Sequence, residues 1–285
     1  MATLAQKLPY THPFAGGYPY RGSQRLPSDP DALTYLAAVA AADGAPVETA
    51  VAVAVDDFFK GTKADGTFSA LKAACLLCGA RTLAGALVPL VGTAPTNVAD
   101  GFVSGDYTRG GATPGLQGDG TSYLDSGRNN NADPQNSQHV SVYASIQATS
   151  TPTTNPVYIS ANDVASDGAT HIGRLSNNGG LYIRSRQTGI NFCTTGSGSE
   201  TGLLGLSRNI ASTYVVRRSG ATVTPSVNGS RTSTTPFDGN VFVFGSAANY
   251  ISNARLAFYS IGEALDLEAL DARVTALVTA IGAAV

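Results

Sequence analysis

Gly180-Leu-Tyr-Ile-Arg-Ser-Arg186, preceded by Asn178-Gly179, shows the sequence pattern that decides the fold. Aliphatic, β-branched and aromatic residues suit a pleated, half-buried surface, and Asn-Gly tolerates the positive φ that a tight hairpin turn requires. The same pattern extends from Gly101 to Ile261, where the chain contains no lysine and a single glutamate, Glu200. Because lysine and glutamate are good helix formers, this composition favours strands over helices.

The stretch contains several strand candidates of ordinary length separated by turn signals. The candidates are Val140–Ile146, Gly180–Arg186, Thr213–Arg217, Thr222–Val227, Val241–Phe244 and Arg255–Ile261. Asp167-Gly168, Asn228-Gly229 and Asp238-Gly239 are the dipeptides found in tight turns. Many short strands at this spacing predict a mainly β protein, with an antiparallel sandwich or jelly roll at residues 95–262.

Helical patterns precede the predicted sandwich. Asp29 is a plausible N-cap with Pro30 at the first helical position, and Asp43-Gly44 ends that helix. A second helix is predicted from about Pro46 to near Gly61, and a third from Thr67 to Gly79. Residues 29–94 therefore form a predicted small helical subdomain.

The last segment, residues 263–285, returns to a helical period. Its apolar residues are spaced alternately three and four apart, as Leu267, Leu270, Val274, Leu277 and Ile281. This is a heptad seam of only two heptads, which is short for an independent coiled coil. We expect the helix to pack on the sandwich, and a self-association stalk that forms a trimer or pentamer is the alternative.

The first segment, residues 1–28, combines four prolines with aromatic rings: Pro9, Pro13, Pro19 and Pro27 lie among Tyr10, Phe14, Tyr18 and Tyr20. Proline at this density prevents both helix and ladder formation. We predict an extended N-terminal arm that anchors the protein to a neighbouring subunit. A floppy leader is the alternative.

The net charge and the start of the chain limit the partners that we expect. The formal net charge of −2 leaves no basic footprint for nucleic acid and no polybasic patch for an anionic membrane. The start of the chain lacks the charged and then apolar pattern of a secretory signal. We therefore expect neither nucleic acid nor a membrane as partner, and no signal-dependent export.

The three cysteines, Cys75, Cys78 and Cys193, are too few for a disulfide framework and indicate folding in a reducing compartment. Cys75 and Cys78 have the spacing of half a zinc site, but no second half is present. We expect both to be small buried hydrophobic residues.

The sequence displays no catalytic constellation. The only alternating acidic pair of the second half, Asp266 and Glu268, falls at the start of the last helix, where acids favour the helix dipole. His12, His139 and His171 are the whole histidine supply, and none has a spacing typical of a hydrolase. We therefore predict a protein that is not an enzyme, with no catalytic, metal or cofactor residue and with its binding residues unassigned.

Three polar segments have a structural and a functional interpretation. The run Asn129–Asp133 offers oxygens for Ca²⁺, but turn chemistry is the preferred interpretation. Gly118–Ser122 is predicted to be a hairpin and not a phosphate loop. The strand arginines, Arg184, Arg186, Arg217 and Arg218, are expected on solvated faces, with Arg184 and Arg186 on a common face; the alternative is that they, with tyrosines, stack on sugars or bind acidic glycans.

Several phrases of the chain together resemble tailed-bacteriophage structural proteins that carry a laminin-G or concanavalin A-like jelly roll. These phrases are Tyr35–Ala37, Phe58–Gly66, Leu116–Ser126, Arg128–Asn136 and Arg255–Asp266. The resemblance covers residues 29–285 and leaves residues 1–28 outside it. It implies a place on the outside of a virion as a head decoration, spike, tail fibre or adsorption protein, a setting in which carbohydrate binders are common.

Three hypotheses follow. In the first, a non-enzymatic virion surface protein, assembled in the host cytoplasm as a homo-oligomer, is anchored to capsid or tail proteins by its arm and contacts host-surface polysaccharide. In the second, the protein cements capsid or tail subunits and has no glycan ligand. In the third, a polysaccharide depolymerase uses groups that the sequence does not display.

Overall fold

A computed structural model describes residues 25–98, 101–150, 155–161, 166–176, 179–188, 192–228, 230–246 and 249–285. Most of the predicted arm lies outside these residues. Four helices occur within them: α1 Pro30–Asp43, α2 Thr49–Ala64, the single turn α3 Leu83–Ala86, and α4 Leu267–Ala284. Short 3₁₀ turns lie at Phe68–Ala70 and Ser104–Asp106.

Sheet A has nine antiparallel strands within the described chain. They are β1 Leu71–Leu76, β2 Pro89–Val91, β4 Tyr107–Thr108, β5 Gly115–Gln117, β7 Gln138–Ile146, β12 Gly202–Arg208, β13 Val215–Arg218, β14 Ala221–Val223 and β17 Arg255–Gly262. The main order is β14-β13-β12-β7-β17-β1-β2, and β5 pairs with both β17 and β4.

Sheet B has eight antiparallel strands among the residues that the structure describes. They are β3 Thr96–Val98, β6 Tyr123–Asn129, β8 Val157–Ala161, β9 Ala169–Arg174, β10 Leu181–Gln187, β11 Phe192–Thr194, β15 Ser226–Asn228 and β16 Asn240–Val243. Their order is β15-β11-β10-β9-β8-β16-β6-β3.

Two hydrophobic cores give the molecule three layers. The first lies between the sheets and contains Val142, Ile172 and Leu256. The second lies between the outer face of sheet A and the helices and contains Phe59, Phe258 and Leu277. The outer face of sheet A is therefore covered by helices, and no helix among the described residues covers the outer face of sheet B. The predicted antiparallel sandwich, with helices before and after it, is confirmed.

Helix α1 begins and ends at the residues that the sequence indicates. Asp29 caps it by accepting hydrogen bonds from the amides of Asp31 and Ala32, and Gly44 ends it in the left-handed region at φ 68°. The root of the predicted arm is held here, because the amides of Ser28 and Asp29 donate to Asp56 on α2 at 2.8 and 2.7 Å. Arg25 also pairs with Asp56 and Asp57.

The predicted third helix is wrong, since Leu71–Leu76 forms strand β1 between β17 and β2. The segment is rich in Ala and Leu, which suit a helix. However, β1 lies between the two cores, with Cys75 in one and Leu76 in the other, and a strand buried on both faces has no polar alternation.

The predicted strand Thr222–Val227 is also wrong, because the segment divides into β14 of sheet A and β15 of sheet B. The four-part division of the chain stays a prediction, although β1 lies inside a sandwich sheet.

The heptad seam of α4 faces the protein. All five of its seam residues are at most 3% exposed, and α4 packs against α2 and β12. The expected packing on the body of the protein is confirmed for this seam, which is therefore occupied and not free for a stalk. Asp266 is the N-cap of α4 and accepts from the amides of Glu268 and Ala269, as the dipole interpretation predicts.

Candidate functional site

One row of side chains crosses the outward face of sheet B. Strand pairing places Thr96 opposite Asp125, Asp125 opposite Phe242, and Phe242 opposite Ser160. The row continues through His171 on β9 to Arg184 on β10. These residues alternate along their strands with the core residues Leu124, Val243, Ile159, Ile172 and Ile183, so they share the opposite, outward face.

The half of the row on β3, β6 and β16 is open to solvent. Tyr123 and Phe242 are partly exposed and lie edge to face, with ring centroids 5.6 Å apart and an interplanar angle of 82°. Tyr123 also packs against the core between the sheets. We call the surface formed by Thr96, Tyr123, Asp125, Asn240 and Phe242 the Tyr123–Phe242 face.

An amide and a carboxylate lie beside the two rings. The side-chain nitrogen of Asn240 donates to both carboxylate oxygens of Asp125, at 3.0 and 3.1 Å. The backbone amide of Gly127 donates to the same carboxylate at 2.8 Å. The pair is thus held in place before any ligand arrives, and it presents hydrogen-bond acceptors and an amide next to apolar rings.

The rings and the polar pair together match one class of ligand. A face of this kind contacts a ligand that has both apolar C–H surfaces and several hydroxyl groups, because rings cover the former and polar groups pair with the latter.

The other half of the row is buried. The imidazole of His171 lies against the ring of Tyr182, with centroids 4.2 Å apart, and its Nδ1 lies 3.1 Å from Ser160 Oγ. Burial, with a smaller effect of the nearby Arg184, lowers the pKa of His171 to about 3. Arg184 is fully buried and donates to the carbonyls of Ser166 at 2.8 Å and Gln187 at 3.2 Å. His171 and Arg184 are therefore bonded to other groups of the same chain and are not accessible to a ligand.

The expectation of solvated strand arginines is wrong for Arg184, Arg186 and Arg217, which are buried. Arg217 pairs with Asp271 at 2.8 Å. Arg186 has a φ of 56° at a register shift of β10 and donates to the carbonyls of Pro134 and Asn130, so it does not continue the face of Arg184.

The arginine that sequence reasoning missed is Arg208 on β12. It is fully buried and donates only to neutral groups: the hydroxyl and carbonyl of Ser185 and the carbonyls of Ile210, Ala211 and Arg231. Burial lowers its pKa to about 10. Arg208 therefore ties two loops to β10 at one end of the sandwich.

Glu200 closes the opposite end. Its carboxylate accepts from the hydroxyl of Tyr158 at 2.6 Å and lies 3.1 Å from a guanidinium nitrogen of Arg174. Burial raises the pKa of Glu200, although Tyr158 and Arg174 oppose this effect. Neither Glu200 nor Tyr158 is exposed, so the cluster fastens the loop before β12 to β8 and β9.

A groove of about 730 Å³ lies between α4 and the outer face of sheet A. Tyr143 on β7 and Thr275, Thr279 and Asp271 on α4 line it, together with small residues of three loops. Asp271 is its only carboxylate, and its two oxygens already pair with Arg217 and Thr275. Among the described residues that line the groove, Tyr143 has the one aromatic ring, whereas the Tyr123–Phe242 face has two aromatic rings in contact.

The remaining predicted segments are structural. All three cysteines are free and buried, as expected, and Cys75 and Cys78 belong to different cores. The run Asn129–Asp133 forms a turn in which the amide of Asn131 donates to Asn129 Oδ1 at 2.9 Å, which confirms turn chemistry. Gly118–Ser122 is not a hairpin, because it connects β5 of sheet A to β6 of sheet B.

The two histidines among the described residues, His139 and His171, are buried and hydrogen-bonded within the protein. His139 is fully buried, with Nδ1 2.6 Å from the carbonyl of Glu263 and Nε2 2.9 Å from Ser260 Oγ. Burial lowers the pKa of His139 to about 4, and the bond to Glu263 opposes the effect. His12 lies outside the described residues.

No three or more His, Cys, Asp or Glu side chains of the described chain come together in a group able to hold a metal ion. Within the same ranges, no helix has both the length and the apolar character needed to cross a bilayer.

No protein-family model and no curated protein matches the chain. Solved structures that resemble it include the CBM40 of Ruminococcus gnavus IT-sialidase bound to α2,3-sialyllactose, at a TM-score of 0.40 and 12% identity over 55% of this chain and 94% of that one. Trypanosoma rangeli sialidase resembles it at a TM-score of 0.45 and 10% identity, over 79% of this chain and 38% of the sialidase. At these values the resemblance identifies neither a ligand nor a reaction for this chain.

The prediction that the protein is not an enzyme is corrected by this comparison. The solved structures that resemble the chain include a mutant of T. rangeli sialidase displaying trans-sialidase activity, at a TM-score of 0.46 and 11% identity. The prediction was based on the lack of a catalytic motif in the sequence, and that lack does not exclude activity.

Proposed function

We propose that this chain is a surface protein of a tailed-bacteriophage virion and that its sandwich contacts host-surface glycan through the Tyr123–Phe242 face. The observation that carries the glycan part is the pair of edge-to-face rings beside the preorganised Asp125–Asn240 pair. Sugars present an apolar face and a ring of hydroxyl groups, and this surface offers partners for both.

The virion part is supported by the sequence resemblance and by the composition of the arm. Residues 1–28 are the proposed attachment to capsid or tail proteins. The root of this segment is fixed on α2 by Asp56, which accepts from Ser28, Asp29 and Arg25. These contacts connect the arm to the folded body of the protein.

The glycan contact is tested by replacing one ring. Phe242→Ala removes a partly exposed ring, and we expect at least about tenfold weaker binding to host polysaccharide fragments, because burying one aromatic side chain is worth about 1.5–3 kcal/mol. The measurement is calorimetric titration of purified protein with fragments released from the host surface. Tyr250→Ala is the matched control, since Tyr250 is an exposed aromatic residue outside the face.

Equal binding by wild type and Phe242→Ala would contradict the assignment of this face.

The attachment is tested separately by deleting residues 1–24, which keeps Arg25 and the contacts on α2. We expect a folded protein that is no longer incorporated into particles. Incorporation of the truncated protein would rule out the arm as the attachment. Loss of particle stability without any glycan binding would favour the cementing role.

A further inference from the structure

We propose that the Tyr123–Phe242 face selects a neutral, hydroxyl-rich glycan and discriminates against glycans that carry a carboxylate. This inference rests on the proposed function and names the substrate class of the same site. It follows from the charges on the face and from the way in which each nearby cation is already used.

The charge of the face is negative. Asp125 lies at the centre of its polar part, between Thr96 on one strand and Phe242 on the other. A second carboxylate, that of Asp238, lies where β6 ends and β16 begins. It accepts from the side-chain amides of Asn129 and Asn131 at 2.8 and 3.1 Å. A ligand carboxylate brought against Asp125 would meet a like charge at short range.

No cation in this part of the described chain offsets that charge. The outward residues of β3, β6 and β16 include no lysine or arginine among those that the structure places. Arg128, near the end of β6, is turned to Asp133, and the two groups are 2.5 Å apart. Arg184 belongs to the buried half of the row, where carbonyl oxygens accept its hydrogens.

The polar groups of the face instead suit hydroxyls. Asp125 Oδ1 already accepts from Asn240 and from the amide of Gly127, whereas Oδ2 accepts only from Asn240 and keeps a lone pair for a hydroxyl hydrogen. One hydroxyl of a sugar ring can therefore donate to this carboxylate. The two rings at 5.6 Å provide an apolar contact for the C–H surface of a sugar ring, so the charge of Asp125 is the part of the face that discriminates between neutral and anionic sugars.

The experiment is a binding titration of the full chain with matched neutral and anionic probes: lactose against 3′-sialyllactose, and a neutral hexose oligomer against a uronic acid oligomer of the same length. We expect the neutral member of each pair to bind at least about tenfold more tightly at low ionic strength. The ratio should shrink as salt is added, because screening weakens the repulsion.

Asp125→Asn is the decisive variant, since it removes the charge and keeps the shape. We expect the discrimination ratio to fall several-fold with the melting temperature nearly unchanged. Glu268→Gln is the control, because that carboxylate is exposed on α4, away from sheet B, and its loss should leave the ratio as in wild type.

The outcomes separate the two proposals. Tighter binding of the anionic probes, or a ratio that Asp125→Asn leaves unchanged, overturns the neutral-ligand inference and leaves the glycan face in place. Absence of binding to every probe and to host polysaccharide overturns the face itself and, with it, the inference.

Discussion

The two halves of the outward face of sheet B belong to one cross-strand row and have opposite surroundings. On β8, β9 and β10 the row is fully buried, as at His171 and Arg184. On β6 and β16 it is partly exposed, as at Asp125 and Phe242. Position on the pleat is thus the same in both halves, and burial decides whether an aromatic or charged side chain stabilises the fold or is available to a ligand.

The largest expected difference between the halves comes from two matched tyrosines. Tyr182 is 5% exposed and contacts the rings of His171 and Phe192, so we expect Tyr182→Ala to lower the free energy of unfolding by about 3–5 kcal/mol. Tyr123→Ala on the open half should cost less than about 2 kcal/mol. Urea denaturation of both variants measures the difference, and equal losses would break the comparison.

The second expected effect is a pH dependence from the buried histidines. The pKa values of His171 and His139 are lowered to about 3 and 4 in the folded protein, so the unfolded chain takes up protons first as pH falls below about 6.5. Stability is therefore full above that pH and is lost on acidification. Between pH 7 and pH 5 the loss should be about 2 kcal/mol for each histidine.

His171→Gln isolates one of these contributions. The variant keeps a side chain able to hydrogen bond with Ser160 and has no group that titrates in this range. Denaturation curves at pH 7 and pH 5 should show a loss about 2 kcal/mol smaller in the variant than in wild type. The same pH dependence in both proteins would mean that His171 does not titrate differently on unfolding.

An effect of about the same size is expected at Gly173, which leaves room for the rings of His171 and Tyr182. A Cβ there would lie 2.5 Å from a ring carbon of Tyr182 and 2.7 Å from His171 Nε2. Gly173→Ala should therefore destabilise the protein by about 1–3 kcal/mol in thermal unfolding. Gly105→Ala is the control, since no heavy atom lies within 4 Å of its Cβ position, and it should change stability by less than about 0.5 kcal/mol.

The parts of the fold that local signals specify were predictable. Asp29 and Pro30 mark the start of α1 and Gly44 marks its end, and the predicted bounds agree with the structure. Strand β1 was not predictable from its own residues, because its conformation depends on two cores supplied by the rest of the chain. Apolar residues at every position fit a buried helix and a doubly covered strand equally well.

The candidate site was not predictable for a related reason. Asp125 and Asn240 are 115 positions apart in the chain, and only the register of β6 with β16 brings them together. Asp125 lies in the phrase Leu116–Ser126 and Asn240 lies in none of the quoted phrases, so no pattern in the chain indicates that the two residues pair. Glu200 did carry a signal, as the single glutamate of a long stretch, but its bond to Tyr158 depends on the way in which the loops meet.

The pairing of β1 with β17 sets the order in which the molecule can be completed. Leu71 pairs with Gly262, so β1 has no neighbour on that side until a strand far along the chain has been synthesised. Contacts of such long sequence separation form slowly, and this edge of β1 stays open to other chains meanwhile. A fragment that ends before Arg255 would lack β17, a central strand of the sheet, so production of this protein depends on synthesis through Gly262.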